Sequence, residues 1–242
     1  MDLKLYDELT PWYRILTPVA DYAEEAESFR QAFEGAISGP RQTLLELGCG
    51  AGHNAWHLKP YFQCTLTDLA PGMLALSQEL NPECEHQLAD MRSLRLGRTF
   101  DAVLVHDAIA YMTTPEDLRA AMETAFLHLR PGGAAIFAPD VFQDTFVEAC
   151  ELFEGQEGER TLKGLEWSWV PDPSRPICMV EYSFLLREGT TVRAVHDRHV
   201  EGLFSRQTWL ELLESLGFTP TWAPRPTGDG EFDRILVARR LG

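Results

Sequence analysis

The stretch Thr43-Leu44-Leu45-Glu46-Leu47-Gly48-Cys49-Gly50-Ala51-Gly52 decides the fold. Its first five residues read as a short buried strand, which runs straight into a loop with glycine at 48, 50 and 52. Glycines there leave the main chain bare, so a ligand can lie directly against it. The spacing is G-x-G-x-G with His53 next, not the G-x-G-x-x-G of a dinucleotide site, whose third glycine serves a pyrophosphate-binding helix contact. An acid, Glu46, stands two residues before the first glycine. Loop and acid together suit a ligand without phosphate that carries cationic groups. By itself the loop would also read as a tight turn.

Working outward, short apolar runs at 63–67, 85–88, 100–105 and 134–138 alternate with helical stretches at 73–80 and 115–129. Pro71 sits where a first helical turn accepts it, and Arg130-Pro131-Gly132-Gly133 stops the later helix. Strands separated by helices predict an α/β fold: a doubly wound, mostly parallel, seven-stranded Rossmann-like sheet with helices on both faces. Ligands in such sheets bind at the carboxyl ends of the strands, where Asp68, Asp90 and His106-Asp107 fall. Upstream, residues 3–38 are helical in pattern and aromatic-rich, broken by Pro11 and Pro18. Beyond about Val141 the runs at 162–170, 177–187 and 192–204 lengthen and partly alternate, predicting a three-stranded antiparallel insertion. Ser205 and Gly217 frame a helix over 206–216, and 218–223 and 232–239 supply two last strands. The expected organisation is a helical lid at 1–40, a sheet domain at 41–140 and 205–242, and the β insertion at 141–204.

The chain has 242 residues and a formal net charge of −16. That field repels nucleic acid and anionic membranes, and the longest basic cluster is Arg239-Arg240. Five scattered cysteines with no C-x-x-C pair fit neither a disulfide frame nor a zinc site. No apolar leader or membrane-length apolar run is visible, so a cytoplasmic protein, monomer or homodimer, is expected.

Taken in order, Leu45-Glu46-Leu47-Gly48-Cys49-Gly50-Ala51-Gly52, Asp68, Ala89-Asp90-Met91, Phe100-Asp101-Ala102-Val103-Leu104 and Leu129-Arg130-Pro131-Gly132-Gly133 resemble the successive motifs of class I S-adenosylmethionine-dependent methyltransferases. The resemblance spans about residues 43–140. It implies S-adenosylmethionine as cofactor and S-adenosylhomocysteine as product, with Glu46, Gly48 and Gly50 at the methionine end. Asp68 would hold the ribose, and Asp90 with Met91 the adenine. Leu69 and Met73 would pack on the nucleoside, and His106 would lie near the methionine end. A looser similarity links Leu5-Tyr6-Asp7, Asp21-Tyr22-Ala23-Glu24-Glu25-Ala26, the antiparallel insertion and the ending Leu203-Phe204-Ser205 to bacterial amino-sugar N,N-dimethyltransferases. It implies that Tyr6 and Tyr22 come from a segment that lids the cofactor. Those enzymes tend to carry histidine after the fourth strand, where this chain has Tyr111.

Methyl transfer is an in-line displacement for which the protein supplies alignment and a dry pocket; a base is needed only when the nucleophile arrives protonated. His199, Tyr6 and Tyr111 are the candidate catalytic residues on a nitrogen or oxygen of a small-molecule acceptor. His196 and His199 lie three apart in a strand, so only one can face the pocket. A solvent-facing strand histidine is the plain alternative for either. No metal is expected: Asp107 and Asp140 end adjacent strands, yet Val141 stands where a further oxygen ligand would be needed. Two other readings are a non-catalytic S-adenosylmethionine-binding module and a nucleotide-linked oxidoreductase, the latter disfavoured by the glycine spacing.

Overall fold

In the computed structural model, residues 3–226 and 232–242 are described. Met1 and Asp2 of the expected lid segment, and 227–231 of the expected sheet domain, lie outside the described residues.

The quoted stretch forms β1 (Thr43–Leu47) and the loop into α3 (His53–Leu58). Around it follow β2 (Gln63–Asp68), α4 (Pro71–Leu80), β3 (Glu85–Leu88), β4 (Phe100–Val105), α5 (Pro115–His128) and β5 (Leu129–Phe137). After the insertion come α6 (Arg206–Ser215), β10 (Phe218–Pro226) and β11 (Phe232–Arg240). The strand order β10-β11-β5-β4-β1-β2-β3 is parallel from β5 through β3, with β11 antiparallel to β5 and β10 antiparallel to β11.

Alternate residues along the central strands serve opposite layers, so both faces are apolar and the strands read as continuous runs. Leu45, Leu47, Val103, Val105 and Phe137 pack against α5 and α6. Leu44, Ala102, Leu104 and Ile136 pack against α2 (Ala23–Ala36), which presents Phe29 and Phe33. Thr114 and Ser205 cap α5 and α6 through the N–H groups of Asp117 and Thr208.

Two features differ from the sequence reading. The helix α3, only six residues long and directly after the glycine loop, is too short to give a periodic signal. The insertion has four strands, not three: β6 (Ala149–Glu157), β7 (Arg160–Trp169), β8 (Ile177–Glu188) and β9 (Thr191–Gly202), paired antiparallel in that order. The strand β6 is an edge strand whose apolar Leu152 is 84% exposed, so its sequence carries little alternation.

Pro11 and Pro18 break the N-terminal segment into pieces, as its sequence predicts, each proline standing at the start of one. Short 3₁₀ turns at Lys4–Tyr6 and Val19–Tyr22 flank α1 (Thr10–Leu16) and lead into α2. The helix α1 lies on the inner face of the four-stranded sheet. Leu5, Leu9, Trp12 and Ile15 form a core with Leu162, Phe184, Leu186 and Val195. Gly155 permits this contact, because a Cβ there would stand 2.4 Å from the backbone oxygen of Ile15.

Candidate active site

The carboxyl ends of β1, β2, β3 and β4, the N-terminal segment and the inner face of the four-stranded sheet enclose one cavity of ≈ 720 Å³. That is a volume suited to a cofactor and a small acceptor together. Tyr6, Tyr22, Glu46, Gly48, Gly50, Asp68, Leu69, Met73, Asp90, Met91, His106 and Tyr111 all line it. His199 does not line the cavity; it is fully buried one side chain back, in contact with Tyr111.

At the β1 end the main chain makes the wall. The N–H groups of Gly48 and Cys49 both donate to the Thr67 carbonyl at 2.8 Å, locking the loop onto β2. Gly48 adopts φ 74, and a Cβ there would lie 2.3 Å from the Ala108 methyl. Only glycine satisfies both demands. The Asp68 carboxylate accepts from Gly50 N–H at 2.7 Å and Ala70 N–H at 2.8 Å, so it braces the loop as well as facing the cavity. Burial raises its pKa, against those two N–H donors.

Glu46 is 1% exposed and its Oε2 has no hydrogen-bond partner among the described residues. Burial, reinforced by the charge of Asp68, pushes its carboxyl up to about 8. A buried acid with an open oxygen is a costly feature unless a ligand donor completes it. Asp90 is differently placed: it accepts a fork from Arg92, with Nη2 at 2.6 Å from Oδ2, and Arg92 also reaches Asp117 at 3.2 Å. The guanidinium holds the Asp90 carboxyl below the usual range. His106 Nε2 lies 2.8 Å from Glu25 and 3.0 Å from Asp107, aligned for a hydrogen bond with neither.

At the opposite end side chains make the wall. The row Val195, Asp197, His199, Glu201 along β9 points to the inner sheet face, joined across the sheet by Tyr182 on β8 and Glu166 on β7. Its first part belongs to the apolar core under α1, and its last part reaches the cavity wall. Burial, then Asp140 and Glu166, push the Glu201 carboxyl up to about 8, and burial also raises Glu166. Asp107 is raised well above its ordinary range by burial and by the facing Asp140.

Tyr6 Oη and Tyr111 Oη are 2.7 Å apart, Tyr111 Oη and His199 Nδ1 2.8 Å, and His199 Nε2 and Asp197 Oδ2 3.1 Å. His196, as its spacing requires, points outward and pairs with Glu181 at 2.7 Å. The sequence reading passed over Asp197, Glu166 and Glu201. The alternation Asp197-x-His199-x-Glu201 was the available signal, since three polar groups on one strand face beside Val195 mark a wall rather than a surface.

Comparison with known proteins agrees with this architecture. A family described as methyltransferase domain matches residues 44–133. The chain is 31% identical over 225 residues to the dTDP-3-amino-3,6-dideoxy-alpha-D-glucopyranose N,N-dimethyltransferase of Streptomyces fradiae, covering 90% of this chain and 86% of that one. It is 28% identical over 216 residues to the dTDP-4-amino-2,3,4,6-tetradeoxy-D-glucose N,N-dimethyltransferase of Saccharopolyspora spinosa, covering 88% and 85%. Among solved structures, Streptomyces venezuelae DesVI superposes with a TM-score of 0.84 at 24% identity, covering 97% of this chain and 98% of that one. S-adenosylmethionine-bound CalS10, an amino pentose methyltransferase from Micromonospora echinaspora, gives 0.77 at 25% identity, covering 97% of each.

Proposed function

The chain belongs to the S-adenosylmethionine-dependent methyltransferases, and from that premise we propose that it methylates an amine nitrogen on a sugar-like small molecule. The observation that carries the choice of nitrogen is the acceptor half of the cavity, where Asp140, Glu166 and Glu201 line the wall together with Tyr6 and Tyr111. Burial and mutual repulsion hold the protons on Glu166 and Glu201, so a cationic amine entering the cluster relieves that repulsion, whereas a carboxylate acceptor would add one more acid to it. The names of the Streptomyces fradiae and Saccharopolyspora spinosa relatives, both amino-sugar N,N-dimethyltransferases, support the same class. We place the work in the cytoplasm, by a monomer or homodimer.

The residues present fit the cofactor. The open Oε2 of Glu46 offers an acceptor to an amino group, and the bare backbone at Gly48 leaves room for the methionine end. Asp68 would hold the ribose, with Met73, buried beneath the loop, and Leu69 on the nucleoside. Asp90 and Met91 would face the adenine, and Tyr22 and His106 would close the methionine side. When bound, S-adenosylmethionine supplies a methyl group on a sulfonium, whose C–S electron pair returns to sulfur as the N–C bond forms. The chain itself orients the nitrogen, excludes water beneath α1, and accepts the proton the nitrogen sheds. Tyr6 and Tyr111 are the hydroxyls at that point, with His199 behind them.

The test is label transfer from S-adenosylmethionine to a panel of amino sugars and their hydroxyl analogues. Methyl on the amino member and none on its hydroxyl analogue is the expected result. Transfer only to hydroxyl or carboxylate acceptors would overturn the choice of nitrogen, and failure to bind cofactor by calorimetry would overturn the cofactor assignments.

A further inference from the structure

We propose that Asp197 sets the direction of a proton wire leading from the acceptor half of the cavity through Tyr6 and Tyr111 to His199, and that seating of the N-terminal turn completes it. This rests on the reading above that the attacking atom is an amine nitrogen.

The direction follows from what each group can do. Asp197 is 4% exposed, and its carboxylate accepts from Leu5 N–H at 2.8 Å through Oδ2 and from Arg198 N–H at 3.1 Å through Oδ1. Burial works to raise its pKa, but the Leu5 N–H and His199 outweigh it and hold the carboxyl below the usual range. An ionised carboxylate only accepts, so His199 Nε2, 3.1 Å from Oδ2, must carry the ring hydrogen. Nδ1 is then a bare lone pair, and Tyr111 must donate to it across 2.8 Å. With its own hydrogen committed, the Tyr111 oxygen must accept from Tyr6 across 2.7 Å. The Tyr6 oxygen is left as an acceptor, on a ring that lines the cavity. One buried carboxylate therefore aligns the three groups beyond it.

His199 is suited to the end of such a wire, since burial lowers its pKa against the opposing pull of Asp197 and keeps the ring neutral. The groups around it are the rings of Tyr6, Tyr111 and Tyr182, with centroids at 5.5, 5.8 and 4.9 Å, and the carboxylate of Asp197. Glu166 and Glu201 lie further along the same sheet face. One proton moves per methyl added. The amine N–H bond breaks with its electron pair left on nitrogen, and the proton passes to the Tyr6 oxygen. The Tyr6 hydrogen passes to Tyr111, and the Tyr111 hydrogen to Nδ1. Both tyrosines end neutral, and the imidazolium formed rests beside Asp197.

The N-terminal turn belongs to the same construction. Lys4 Nζ donates to the His196 carbonyl at 2.9 Å and Leu5 N–H to Asp197, so Lys4–Tyr6 is fastened to β9 at two points. Lifting it removes the first member of the wire and one donor from Asp197 together.

Two measurements test this. In the ligand-free protein, long-range ¹H–¹⁵N spectra read the tautomer of each of the seven histidines. His199, assigned by its loss in His199→Gln, should be protonated at Nε2 with a bare Nδ1, and Asp197→Asn, whose amide can donate to Nε2, should move the hydrogen to Nδ1. In turnover, with dTDP-3-amino-3,6-dideoxy-α-D-glucopyranose as probe acceptor, Asp197→Asn and Tyr111→Phe should each lower kcat at least about tenfold near neutral pH, with KM changed by less than about threefold. The double variant should be no slower than the worse single, because both cut one wire. The Asp197→Asn rate should climb with pH as hydroxide replaces the lost acceptor, and His196→Gln on the outer face should leave kcat unchanged. A wild-type Nδ1–H tautomer, unaltered kcat in Asp197→Asn, or additive losses in the double variant would overturn the wire. No transfer to any amino sugar by the wild-type protein would overturn the underlying reading of the acceptor, while the tautomer measurement, which needs no acceptor, still decides the wire.

Discussion

The β1 half of the cavity presents mainly backbone to its ligand, and its parts lie close together in sequence; the half facing the four-stranded sheet presents side chains drawn from both ends of the chain. Gly50 and Asp68, 18 residues apart, brace one another across the loop. Leu5 and Asp197, 192 apart, do the corresponding work on the other side. A backbone wall tolerates no side chain but is indifferent to much of the surrounding sequence. A side-chain wall can change its chemistry by single substitutions while the fold persists. The backbone-lined half is therefore the harder of the two to alter, and the side-chain-lined half the easier.

The comparison breaks most sharply at Gly48. Gly48→Val puts branched carbons where even a Cβ would lie 2.3 Å from the Ala108 methyl, at φ 74. The S-adenosylmethionine Kd measured by calorimetry should rise by about 100-fold or more, and chemical denaturation should register a loss of about 2–4 kcal/mol. Gly155→Val acts on the other half alone by pushing α1 off the sheet at Ile15. There kcat should fall about 30-fold while cofactor Kd moves less than about fivefold, a separation that equal losses in both would erase.

Glu46→Gln sharpens the comparison through pH. The carboxyl of Glu46 is raised to about 8 in the fold, against about 4.5 when unfolded, so the native state holds the extra proton between those values. Its favourable contribution is complete below about pH 4.5 and is lost as pH rises through about 8. Glutamine keeps the neutral form at every pH. The ligand-free variant should match the wild type near pH 4.5, exceed it by up to about 4 kcal/mol at pH 8, and bind cofactor about tenfold more weakly. Arg92→Ala should do least. The Asp90–Arg92 pair is 26% and 40% exposed at its side chains, so its removal should cost less than about 1 kcal/mol in thermal or urea melts.

What the sequence made legible follows the same division. The central strands β1 and β4 are buried on both faces, so 43–47 and 100–105 stood out as continuous apolar runs, and Asp68 and Asp90 could be placed by counting from them. The cavity residues proposed around the glycine loop all came to one cleft because each follows directly from a strand end. The half facing the four-stranded sheet was less legible. His199 could be chosen over His196 only by strand parity, and Asp197 had no visible role until Leu5 was seen to reach it. The strand β6 was passed over because few residues besides Phe153 and Gly155 turn inward along it and Leu152 is exposed, too little to impose a visible alternation. Nor did Asp90 show in sequence that Arg92, two residues on, would already occupy it.

The seat of α1 on Gly155 has a consequence for how the molecule is made. Leu5, Leu9, Trp12 and Ile15 are synthesised well before Phe184 and Val195, which belong to the surface they cover. During synthesis that apolar stripe stays uncovered while the entire parallel sheet up to β5 can already pair behind it. The helix α1 can therefore settle only after β8 and β9 have been made, long after its own synthesis.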